Sequence, residues 1–251
     1  MAIENKIFKV NELKISSRIR EVDAEWIICL HGLKSNKHLF DPIFTIEELK
    51  NYSILALDFV GFGESDKPKD FSYNPADQTK IVKTLIEQIG AQKINLIGHS
   101  VGGMVGTLLL NESGEKIISF INLEGNLVGK DCSASAEVIS QSFEQFKNHA
   151  FTELKALLDQ DKLQAVNQVP DFVFYKTSQS IVDWSKSEKL LDIFINTKQR
   201  KLFVYGEKNK SKIDVLDNKV PVAEIPNSGH FMLTDNSEYT WEIIRDFITK
   251  I

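Results

Sequence analysis

Two cysteines in 251 residues, Cys29 and Cys132, have no metal-type spacing. Cys29 lies inside an apolar run, as a buried free thiol does, and such sparse use of cysteine fits a reducing compartment. No run of about 18 apolar residues occurs, so no membrane-spanning helix and no membrane insertion are expected. The opening stretch MAIENKIFKV has no apolar core of secretory-signal length, and the expected location is cytoplasmic. Positive charge is not in excess. Thirty Lys and Arg against 35 Asp and Glu leave a net −5, with no global field to draw in nucleic acid or anionic lipid. No His, Asp, Glu or Cys cluster has ligand spacing, and neither a metal nor a cofactor is expected. Gly61 and Gly63 follow a strand-like run, but GFGES lacks the third glycine of a dinucleotide fingerprint. Internal repeats and low-complexity segments are also missing.

What is present is ordinary globular material, 42% hydrophobic and 26% charged, long enough for one large domain with room for a subdomain. KIFKV and LKISSRIRE alternate apolar and polar residues around NE, which predicts an antiparallel hairpin. WIICL (26–30), YSILALD (52–58), KINLIG (93–98), IISFINLE (117–124) and RKLFVYG (200–206) are short apolar runs of the kind buried on both faces of a sheet. VPVAEIP (220–226) reads as a last, shorter strand. Helical spacing covers 76–90, closed by Gly90, about 101–111, and 237–251, with Ser237 as the expected N-cap. About 75 residues between the sixth and seventh strands are helix-like, nearly neutral, and too long for a loop. The expected fold is α/β: a mostly parallel central sheet with helices on both faces, and a small helical cap inserted after the sixth strand. The core is expected at 1–125 and 198–251, and the cap at 126–197.

NLIGHSVGGM (95–104) carries the chemistry. A strand that turns abruptly into a helix strains its turn residue, and neighbours two positions away must be small. Gly98, Ser100 and Gly102 meet that demand as G-x-S-x-G, and the turn sets Ser100 at a helix N-terminus whose unpaired N–H groups can hold an oxyanion.

LHGLKSN (30–36), LDFVGFGES (57–65), GHSVGG (98–103) and NSGHFML (227–233), in that order, resemble the α/β-hydrolase family, especially its small serine esterases. The resemblance covers nearly the whole chain. It implies Ser100 as nucleophile and His230 as base, with oxyanion N–H groups from Val101 and from Leu33. His31 is expected to brace the oxyanion loop, His99 to pack or bond beside the site, and Asp58 to fix its own loop through backbone N–H groups. His38 and His149 belong to no motif.

The acid is harder to place. Most members carry an aspartate three residues after the glycine that ends the seventh strand, and here that residue is Asn209, which has no charge. Some members place the acid after the sixth strand instead. Glu124 stands there, and a carboxylate closing an apolar strand is costly without a partner. Glu207, Asp214 and Asp217 are the alternatives, with Asp214 the strongest.

The resemblance implies a hydrolase for a small or medium carboxylic ester or thioester, acting on a small-molecule acyl substrate through an acyl-enzyme. An acyltransferase using the same residues, or a ligand-binding receptor on the same fold, are the other readings. A serine nucleophile argues against the alkyl-enzyme branches, the haloalkane dehalogenases and epoxide hydrolases. Cap aromatics (Phe143, Phe146, Phe151, Phe172, Phe174, Trp184) are candidates either for an acyl pocket or for the core of the cap. Oligomeric state is not legible in the sequence.

Overall fold

A computed structural model describes residues 2–113, 115–216 and 218–250. Asp217, one of the alternative acids, lies outside them. Eight strands form one sheet in the order β1-β2-β4-β3-β5-β6-β7-β8. They are β1 (Glu4–Val10), β2 (Leu13–Arg20), β3 (Glu25–Leu30), β4 (Ser53–Leu57), β5 (Lys93–His99), β6 (Ile117–Leu123), β7 (Arg200–Gly206) and β8 (Val222–Ile225). The hairpin β1–β2 and the pair β2–β4 are antiparallel, and every other pairing is parallel. Asn11 and Glu12 turn the hairpin with φ of 48° and 68°, the two positive values that match the right-handed twist of its strands. Edge strand β1 exposes alternate residues. In β3, Trp26 through Leu30 are buried without interruption, as a strand covered on both faces requires.

The labelled helices are α1 (Pro75–Gln88), α2 (Val101–Glu112), α3 (Ser133–Ile139), α4 (Phe151–Ala156), α5 (Gln160–Asn167), α6 (Asp171–Ser187), α7 (Lys189–Asn196) and α8 (Ser237–Thr249). Asn74 caps α1 by accepting the Ala76 N–H, with Pro75 in the first helical position, where its missing donor does no harm. The expected cap of α8 at Ser237 is corrected. Ser237 is the first helical residue and Asn236 holds the cap position, because the preceding turn, 232–235, runs up to it. Each face of the sheet has its own apolar core. One is closed by α1, α2 and the insert, the other by the 37–49 segment and α8. Helix α2 is buried on almost all sides, so it is apolar all round rather than amphipathic.

Residues 129–196, between β6 and β7, form helices joined by short connections, with no strand among them. Within the expected 126–197 insert, α7 packs on the sheet: the Phe194 ring meets Phe120 of β6 and Phe203 of β7. The Phe146, Phe151 and Phe174 rings pack against one another, which assigns these three aromatics to the core of the insert. Among the described residues no helix is long and apolar enough to cross a membrane.

The loop after β4 is built on a buried charge. Asp58 accepts the backbone N–H groups of Lys37 and Glu64 and the Lys37 ammonium, at 2.8, 2.9 and 2.8 Å, while Ser65 donates to the Asp58 carbonyl. Lys37 and Asp58 are 1% and 0% exposed. Burial alone would lower the Lys37 pKa, but the bonds to Asp58 and Glu64 outweigh it and raise it. Removing one partner strands the other. Lys37→Met should therefore lower stability by about 3 kcal/mol, the scale for breaking a buried ion pair. Urea denaturation measures this, and a loss below about 1 kcal/mol would show that the backbone N–H groups alone satisfy Asp58.

Candidate active site

Strand register brings the site together. His99 of β5 is paired with Leu123 of β6, and Leu123 with Val204 of β7, so the residues that follow emerge side by side at the carboxyl edge of the sheet. Ser100 donates its N–H to the Leu123 carbonyl at 3.0 Å, and Glu124 donates to Val204 at 3.0 Å. This edge is where open α/β sheets place their ligands.

Ser100 has φ 54° and ψ −120°, the strained turn expected of the elbow. The close approach of α2 explains its glycines. A Cβ on Gly98 would lie 2.5 Å from the Gly102 carbonyl oxygen, and one on Gly102 only 2.0 Å from that of Leu30. Val101 opens α2, so its N–H is among those without an acceptor inside the helix. Leu33 lines the same cavity as Ser100.

Glu124 is 6% exposed and left-handed, with φ 46°. Its carboxylate accepts from Gly206 N–H at 2.8 Å, from the Asn209 amide at 3.0 and 2.9 Å, and meets His230 Nδ1 at 2.9 Å. Burial by itself would raise its pKa. The His230 bond and charge, with the Gly206 and Asn209 donors, outweigh burial and hold the carboxyl below the usual range. Asn209, three residues after the glycine that ends β7, thus donates its amide to the Glu124 carboxylate. Asp214 is exposed, with its carboxylate 3.9 Å from the Lys130 ammonium. Glu207 accepts the Asn227 N–H.

His31 Nε2 accepts the Phe59 N–H at 3.1 Å, so its Nδ1–H donates to the Gly32 carbonyl at 2.8 Å, joining the loops after β3 and β4. His99 Nε2 donates to the backbone carbonyl of His230 at 2.8 Å, and their rings lie 4.9 Å apart. His38 faces Asp41 on the surface and His149 is exposed, both outside the site.

Ser100 and His230 line one cavity of about 400 Å³, walled also by Leu33, Asn126, Cys132 and Ile181. That volume suits a small ligand. Asn126 and Cys132 carried no motif, and only the fold of the insert brings them here. Among the described residues no group of three His, Cys, Asp or Glu stands where it could hold a metal ion.

A strand-helix elbow bearing Ser100 on a mostly parallel sheet defines the α/β-hydrolase class. The family model described as alpha/beta hydrolase fold matches residues 25–210, and the chain belongs to that family. It is an α/β-hydrolase. The Mus musculus mesoderm-specific transcript protein is 35% identical over 106 residues, which are 39% of this chain and 32% of that protein. An uncharacterized hydrolase of Bacillus subtilis, YugF, is 33% identical over 79 residues, 32% of this chain and 29% of its own. The matched stretches thus span about a third of these relatives. Among solved structures, an esterase from Exiguobacterium antarcticum has a TM-score of 0.76 at 17% identity, covering 98% of this chain and 99% of its own. The N-acyl homoserine lactonase AidH has 0.76 at 17%, covering 98% and 97%. An epoxide hydrolase, CorEH, has 0.77 at 12%, covering 99% of each. At these identities the likeness is one of fold.

Burial pushes the pKa of His99 down to about 3, and neighbouring His230 acts in the same direction. The unfolded chain, with the ordinary 6.5, therefore takes up this proton first. Stability should fall as pH drops below 6.5, by up to ~1.4 kcal/mol per pH unit from this residue. His99→Gln keeps an N–H donor and removes the titration. Urea denaturation at several pH values should show a shallower acid slope in the variant, and equal slopes would place the titration elsewhere.

Proposed function

We propose that this chain hydrolyses a small or medium carboxylic ester or thioester through an acyl-enzyme on Ser100. The observation that carries the reading is the 2.9 Å bond between Glu124 and His230 Nδ1 beside a cavity that Ser100 also lines. With Nδ1–H donating to Glu124, His230 Nε2 is left bare and can take the Ser100 hydroxyl proton. Ser100 Oγ then attacks the substrate carbonyl. The developing oxyanion is held by the Val101 and Leu33 N–H groups, and the imidazolium by Glu124. His230 returns the proton to the leaving alcohol or thiol. Water, deprotonated by the same nitrogen, releases the acid and frees Ser100.

Alkyl-enzyme chemistry uses a carboxylate nucleophile, so the serine sets this reading apart from epoxide opening despite the shared fold with CorEH. The fold shared with an esterase supports it. Asn209 supports Glu124 as the acid, since its amide donates to both oxygens of that carboxylate from the position where the family's usual layout has the acid itself.

Ser100→Ala should abolish labelling by a fluorophosphonate and lower turnover of p-nitrophenyl esters by several orders of magnitude. Glu124→Gln should lower turnover by about 10³ to 10⁴, as the matching change does in a serine protease triad. Asp214→Asn should cost little. Side-by-side turnover, with circular dichroism to confirm folding, makes the comparison. A crippled Asp214→Asn beside a near-normal Glu124→Gln would move the acid to the loop after β7.

A further inference from the structure

Lys34 follows Leu33 on the loop after β3 and is not absorbed by the chemistry above. It lines the cavity beside Ser100 and also a second cavity of about 680 Å³, which runs between that loop and α5 of the insert. Phe231 is the other residue shared by both walls. Lys208 lines the first cavity and Lys162 the second, with the Lys162 ammonium 4.2 Å from the centre of the Phe231 ring. Three lysines therefore line two cavities that share Phe231 in their walls, on a chain whose net charge is −5.

The nearby carboxylates are engaged or offset. Asp131, in the first cavity, accepts the N–H groups of Leu127 and Val128. Asp159 pairs with Lys162. Asp235 accepts the Gly229 N–H, and Asp161 lies in the first turn of α5, where the helix dipole favours it. Among the described residues no hydrogen bond or ion pair holds the Lys34 ammonium. Burial lowers its pKa, the Lys162 charge acts in the same direction, and the Glu137 charge opposes them. A partly buried cation with no carboxylate in ion-pair contact is costly, and a bound anion reduces that cost.

We propose that the site selects esters bearing an anionic oxyacid group, carboxylate or phosphate, on a short apolar spacer, with Lys34 receiving the anion and Phe231 the spacer. This rests on the hydrolase reading of Ser100 and names its substrate class.

The test compares kcat/KM for matched pairs. p-Nitrophenyl hemiglutarate against p-nitrophenyl valerate places the charge on the acyl side. 4-Acetoxybenzoate against its methyl ester places a carboxylate on the leaving side, and 4-acetoxyphenyl phosphate places a phosphate there. In at least one arm the anionic-to-neutral ratio should fall by about tenfold or more in Lys34→Met, the scale of one lost charge-assisted hydrogen bond. The change should lie in KM, and Lys34→Arg should retain the ratio. The arm that responds identifies the side and the oxyacid. A ratio unmoved by Lys34→Met in every arm, or lost equally in Lys34→Arg, overturns the proposal.

Calorimetry separates this from the hydrolase reading. Ser100→Ala should bind hemiglutarate ester about tenfold more tightly than the Ser100→Ala, Lys34→Met double variant. Lys34-dependent binding without turnover of any ester would sink the hydrolase reading and leave the anion site standing. Turnover without discrimination would do the reverse, and absence of both would remove both.

Discussion

Parallel strands end on the same side of a sheet, and their register decides which of the following residues meet. Here β5, β6 and β7 are aligned so that one step past their pairing brings Ser100 and Glu124 to one rim, where the Glu124 carboxylate reaches the N–H of Gly206 at the end of β7. Because these strands are buried on both faces, a shift by one residue would exchange the side chains facing the two apolar cores and break their packing. The register is thus held by the interior, and the rim inherits its geometry. Loops added at that rim can vary without disturbing the alignment beneath them.

Glu124 and Asn209 show what the rim permits. A carboxylate facing the His230 ring can rise from the end of β6 or from the loop after β7, because the two strands are parallel neighbours. In this chain the charge stands on β6 and an amide on the other side donates to it. Two carboxylates there would repel across a partly buried gap, whereas one carboxylate with amide and backbone donors stays ionised. The left-handed backbone of Glu124 turns the chain at the strand end.

Much of the architecture was legible because burial leaves a strong trace. The continuous apolar runs predicted β3 to β7 to within a residue or two, and 200–206 coincides with β7. The elbow was legible because its glycines answer a steric demand that no other residue meets. Other features leave no such trace. Lys37 belongs to no motif and is buried, because its partner Asp58 follows β4, 21 residues further along the chain. Helix α7 reads as one more helix of the insert, yet its Phe194 packs on the sheet, and helical periodicity says which face is apolar without saying what covers it. Ser237 satisfies the cap pattern one residue too late, because a short turn occupies the preceding positions. Asn126, Cys132 and Lys34 reach the cavity only through the three-dimensional path of the insert and of the loop after β3.

Ser100 and Glu124 both carry side chains at positive φ, where an ordinary residue is strained by about 1–3 kcal/mol and glycine is not. Selection for durability alone would drift both positions toward glycine, and on the function proposed here either step would erase the chemistry. The two residues are therefore markers of history as well as of geometry. A lineage that kept the fold for some purpose other than catalysis would shed them early, so their joint persistence in a descendant would indicate that the chemistry was still in use.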